Sequence, residues 1–289
     1  MPIPEPTRDE ALDIQHDTDP ARDAGISRRI PHLGHTLLFF TLALFCLLVA
    51  TLISISILHV RPSEPSGQHP MGDFLAEMIG YFVTLLVAVP LFATIWHKPF
   101  LDGIHWTWRA ASRHWWKLIL LGGVAAILAS LADSLIKSPS STDLMRMFQK
   151  PSTAWTFVIV GSLIAPLMEE IAFRGFLLPA LATAYDWIAV ERTPAGLAWW
   201  QRTTEHTRGA WIFAALFSSA AFTLIHGGQL HWAYGPILVL FIPSLLFAAV
   251  RIRLRSVAAS TLVHIAYDGF IFLDMIVVTH GFRHLDKLQ

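Results

Sequence analysis

Cysteine, charge and any bias of charge sign are all scarce in this sequence. The single cysteine, Cys46, stands in an apolar run, so an intrachain disulfide is impossible and a Cys-x-x-Cys redox or metal centre is excluded. Charged residues make up only 15% of the 289, and 21 basic side chains balance 21 acidic ones. No global basic field exists, which removes nucleic acid as a partner. There is no internal repeat, no Gly-x-Ser-x-Gly elbow and no His-Glu-x-x-His. Serine and cysteine nucleophiles and the zincin pattern therefore lack support.

Hydrocarbon is what the chain has in quantity: 54% of residues are hydrophobic and the mean hydropathy is +0.52, which exceeds what a soluble domain of this length carries and marks a polytopic membrane protein. A spanning helix needs ~20 mostly apolar residues. Seven stretches meet or approach that: 34–60, 72–96, 118–136, 153–183, 209–228, 231–250 and 256–279. The expected fold is an all-α membrane bundle of seven or eight helices over 34–289. Before it, residues 1–33 read as a disordered polar tail rather than a secretory signal, with seven acids against four arginines by Arg29.

Between the spans, residues 97–117 interleave Trp106, Trp108, Trp115 and Trp116 with Lys98, Arg109, Arg113 and Lys117, the mixture of an anchor at headgroup level. Residues 185–208, with Trp187, Trp199 and Trp200, are too polar to span and read as a lid or surface loop. Pro236 and Pro243 threaten kinks in their span. Lys and Arg in the links number fourteen on the tail's side and six on the other, which places the tail in the cytoplasm and the C-terminus outside.

Against that background three charges stand out in Met168-Glu169-Glu170-Ile171-Ala172-Phe173-Arg174-Gly175. Ionisable groups inside an apolar span are costly, so they are either paired or used for chemistry. A helix turns about 100° per residue; Glu170 and Arg174 share a face and can pair, while Glu169 points elsewhere. A packing ion cluster is the bland alternative. Two other apolar helices bring Phe222 and His226, and His264 and Asp268, each pair one turn apart. A lone membrane histidine is more often packing than catalyst, but carboxylate and imidazoles on three helices suit water activation and oxyanion stabilisation. The same groups could hold one divalent metal such as zinc through Glu169, His226 and His264, or need no cofactor at all.

Glu169-Glu170-x-x-x-Arg174, Phe222-x-x-x-His226 and His264-x-x-x-Asp268, in that order on separate apolar helices, resemble the three motifs of the CPBP intramembrane proteases, the CAAX-protease and bacteriocin-processing family. The resemblance covers about 155–272. It implies a bundle enclosing a polar, water-filled cavity and endopeptidase activity on membrane-associated peptides or proteins in the bilayer, with a bacterial inner membrane as the location. It further implies that Glu169 and His226 activate water, that His264 and Asp268 stabilise the oxyanion, and that Glu170 and Arg174, with Phe222, support the site. The family has been called metalloprotease-like, although its best-understood members look glutamate-dependent. Asp268 stands where the prenyl-protein proteases have Asn; an ionised Asp would repel an oxyanion, so it must be protonated or orient His264 instead. Those proteases open to the cytosol from the N-terminal side of the first motif helix, opposite to the side the charge count assigns. Two other functions compete: a non-catalytic scaffold or bacteriocin-immunity factor of the same fold, and an ion-coupled transporter, against which stands the lack of a repeated half.

Overall fold

A computed structural model describes residues 29–58, 70–136, 151–230 and 232–284. Residues 1–28 of the expected tail, and most of the links 61–70 and 137–152, lie outside the described residues. Seven helices are long and apolar enough to cross a membrane, and among the described residues every regular element is helical. The chain is thus an all-α multi-pass membrane protein, with seven candidate spans among the described residues.

The spans are α1 (Leu33–Leu58), α2 (Pro70–Trp96), α5 (Trp115–Leu135), α6 (Pro151–Glu170) continuing through a π-helical segment (Ile171–Leu177) into α7 (Leu178–Ala189), then α9 (Arg208–Ile225), α10 (Tyr234–Leu254) and α11 (Val257–Val278). Short helices α3 (Phe100–Gly103), α4 (Trp108–Arg113) and α8 (Pro194–Arg202) lie between them. Leu44 and Phe82 are each 68% exposed on the bundle's outside, a surface suited to acyl chains and not to water.

With no hydrophobic drive between helices in lipid, close backbone approach takes over. Gly122 shows it: a Cβ there would meet the Ala266 Cβ at 2.7 Å, so α5 presses its small-residue face (Gly122, Ala126, Ala129) onto α11. One aromatic cluster, with Phe39, Phe92, Trp96, Phe100 and Phe176, ties α1, α2 and α3 to the π segment. A second, with Leu118, Phe247, Val263 and Tyr267, ties α5, α10 and α11.

Two expected features differ. The Trp-rich stretch does put Trp108, Trp115 and Trp116 on the surface, but Trp106 packs against both core clusters; and its last three residues already begin α5. The polar link 185–208 is mostly ordered helix, with Tyr185 to Ala189 completing α7 and the rest carrying α8. Asp186 holds it down. Its carboxylate accepts from Thr207 Oγ1 at 2.7 Å and from His206 Nδ1 at 2.8 Å, and Arg29 pairs with it at 3.8 Å. Arg29 also donates to the Thr203 carbonyl at 2.7 Å and lies 3.8 Å over the Trp200 ring. Burial holds the His206 imidazole below its ordinary pKa, with Asp186 opposing. Asp186 is seventeen residues beyond Glu169, about 25 Å at 1.5 Å per residue, so this strap does not cover the site.

Candidate active site

The first motif sits where α6 changes register. Ile171–Leu177 is π-helical, a widened turn that occurs in proteins mostly at functional sites; Pro179, just past it, has no N–H to offer the carbonyl of Gly175. Within this turn Phe173, Arg174, Gly175 and Phe176 are buried. Glu170 and Arg174 are both fully buried and pair at 3.1 Å. Arg174 Nη2 donates to the Ser244 carbonyl at 2.8 Å and to its Oγ at 2.7 Å, and the guanidinium lies 4.8 Å from the Phe222 ring and 5.5 Å from that of Phe247. Arg174 therefore ties the motif helix to α9 and α10.

Glu169 lies about 100° round the helix from Glu170. Its Oε1 lies 3.5 Å from His226 Nε2, and its Oε2 lies 3.6 Å from His264 Nε2. His226 caps the end of α9. Its Nδ1 is 2.8 Å from the Phe222 carbonyl, and since a carbonyl only accepts, Nδ1 carries the proton and Nε2 is left to face Glu169. Both 3.5 and 3.6 Å are long for direct hydrogen bonds.

His264, on the face of α11 that α10 packs against, is 4% exposed. Its Nδ1 is 3.1 Å from Glu170 Oε1, its Nε2 is 3.5 Å from Asp268 Oδ2, and Phe247 stacks on the ring at 4.3 Å. With Nδ1 donating to Glu170, Nε2 donates only in the imidazolium form. All four expected site residues, Glu169, His226, His264 and Asp268, and their three supports, Glu170, Arg174 and Phe222, thus meet in one cluster. Glu170 does more than expected, bridging Arg174 to His264.

Three contributors were missed from sequence. Ser244 and Phe247 lie in α10, where the only signal was one serine in an apolar run. Glu77, in what read as a plain span, lies within electrostatic reach of Glu169 and His226.

A catalytic zinc takes three protein ligands. Among the described residues, no group of three or more His, Cys, Asp or Glu side chains is placed to hold a metal ion. Glu169 faces the Nε2 atoms of both histidines through different oxygens, and His264 Nδ1 is held by Glu170, the carboxylate–histidine pairing that orients a ligating imidazole as readily as a catalytic one.

No curated protein and no solved structure matches the chain. A family model, the type II CAAX prenyl endopeptidase Rce1-like family, matches residues 151–270. Every member of the cluster lies within that segment, from Glu169 to Asp268, as do Ser244 and Phe247. Residues 151–270 are thus similar to a CAAX-protease-type domain of the CPBP family.

Proposed function

We propose that the chain is an intramembrane endopeptidase that cleaves membrane-associated peptides or proteins by attack of a water activated between Glu169 and His226. The observation that carries this reading is Glu169, a carboxylate facing imidazoles from two other helices at 3.5 and 3.6 Å, with no short hydrogen bond to spend it. Water attacks the scissile carbonyl; its proton passes to Glu169 or His226 Nε2 and then to the leaving amine, releasing a carboxylic acid and an amine. His226 Nδ1 keeps its proton on the Phe222 carbonyl throughout.

The oxyanion falls to His264. As an imidazolium it donates through Nε2, while Glu170 holds Nδ1 and fixes the ring's orientation. Asp268 contacts the same Nε2 and orients the ring before substrate arrives. Glu170, Arg174 and Ser244 form the brace, and Phe222 backs both His226 and Arg174.

On this reading no cofactor takes part. The substrate is a membrane-associated peptide or protein, and the setting is a bacterial inner membrane with residues 1–33 as a cytoplasmic tail, residues 34–289 as the membrane domain and 153–279 as its catalytic core. His226 ends α9 on the face opposite the tail, so the site opens away from the cytoplasm. The test is turnover of a cleavable membrane peptide by purified protein in liposomes. Glu169→Ala and His226→Ala are expected to lose turnover and a chelator to leave the wild type unaffected; full turnover in both variants contradicts the reading.

A further inference from the structure

We propose that Glu77 and Tyr81 of α2 form an outer positioning pair of this site, orienting water on the approach to Glu169 and His226. The proposal rests on the endopeptidase reading above.

Phe74, Glu77, Tyr81, Leu85, Ala88 and Phe92 follow one another at helical spacing along one face of α2. That face meets the motif helix near both of its ends. At one end the Phe74 and Phe157 rings are 5.9 Å apart; at the other Phe92 and Phe176 are 4.9 Å apart. Between them Leu85 joins the aromatic cluster that also takes in Leu167 and Ile171. Two helices in contact at 74 with 157 and at 92 with 176 run side by side in the same direction. Glu77 and Tyr81 therefore face α6 along the stretch leading up to Glu169.

Tyr81 Oη donates to Glu77 Oε1 at 2.6 Å. The groups that act on the Glu77 carboxylate are Tyr81 on its own helix, Glu169 on α6 and His226 at the end of α9, and Glu169 also acts on the Tyr81 phenol. A purely structural pair leaves the cost of an ionisable group in a span largely uncompensated, because one hydroxyl meets only part of a carboxylate's four acceptor positions. A carboxylate fixed at one oxygen by Tyr81 keeps the other to accept from water within electrostatic reach of Glu169 and His226.

The experiment measures kcat and KM of full-length protein in liposomes on a membrane peptide, with thermal melting alongside. Glu77→Gln is expected to lower kcat roughly tenfold, the order of loss that misplacement of a reacting group brings, with KM and melting unchanged. Tyr81→Phe is expected to lower kcat by less, and the double variant to match Glu77→Gln, because Tyr81 acts through Glu77. An unchanged kcat, a loss confined to KM or to melting, or full additivity in the double variant overturns the proposal. If Glu77→Gln fails to insert, Tyr81→Phe carries the test, with an unchanged kcat counting against it. Glu169→Ala run in parallel separates the failures: full turnover there sinks the endopeptidase reading, whereas loss there with an intact Glu77→Gln sinks only the outer pair.

Discussion

Two buried clusters in this protein share the same ingredients, a guanidinium, a carboxylate and a histidine, yet differ in how completely they are satisfied. In the strap cluster Asp186 accepts three hydrogen bonds, from His206, the Thr207 hydroxyl and the Thr207 amide, and Arg29 has two backbone carbonyls, an ion pair and an aromatic face. In the inner cluster Glu169 has contacts only at 3.5 Å and beyond; a buried atom without a hydrogen-bond partner occurs in both clusters, Glu170 Oε2 here and Arg29 Nε in the strap. The difference lies in one carboxylate: Asp186 is saturated with short hydrogen bonds, whereas Glu169 has none. Burial and charge alone do not separate the two, and the contacts of each carboxylate do.

That contrast breaks most visibly at the two arginines. Arg174→Met leaves Glu170 uncompensated at full burial and removes the link to Ser244, and is expected to cost about 3–5 kcal/mol and all turnover, measured by denaturation in detergent and by peptide cleavage. Arg29→Met is expected to cost about 1–3 kcal/mol, because it strips hydrogen bonds from a cluster whose carboxylate keeps other donors, while turnover at permissive temperature is retained. Loss of turnover in folded Arg29→Met protein would join the two clusters functionally and end the distinction.

Asp268→Asn sharpens the inner side. An amide donates toward an oxyanion without first acquiring a proton, so turnover is expected to hold or rise; a large drop, measured as kcat on the same peptide, means that the carboxylate itself is needed. The smallest effect belongs to His206. Burial lowers its pKa in the fold, so the unfolded chain binds the proton first, and stability is full above its ordinary value of ~6.5 and falls as pH drops below it. Melting temperature against pH is expected to decline modestly below that point, and His206→Gln to flatten the decline.

Most of the fold was legible because bilayer thickness dictates length and hydropathy. The seven spans lie near their expected ranges, and 97–117 and 185–208 are where expectation and structure part. Asp186 shows why. Its polarity argued for a loop, but its partner Arg29 comes from the far N-terminal side, and no local pattern announces such a pairing. In the site, the pairing of Glu170 with Arg174 and the offset of Glu169 from them followed from helix geometry alone. That Glu170 reaches His264, that Ser244 anchors Arg174, and that Phe247 stacks on His264 depend on the register of one helix against another, which periodicity within a single helix does not contain. Glu77 was visible as a carboxylate in a span, but its neighbourhood with Glu169 and His226 is a tertiary fact.

The distinction between an open and a saturated cluster is tested most directly by Glu169→Gln, which changes one carboxylate oxygen to an amide and little else. Turnover of a membrane peptide in liposomes should fall about 10²- to 10⁴-fold, the usual worth of a positioned acid–base group, with melting temperature within a degree or so of wild type. Turnover retained in folded Glu169→Gln protein would contradict the claim that Glu169 is the working carboxylate.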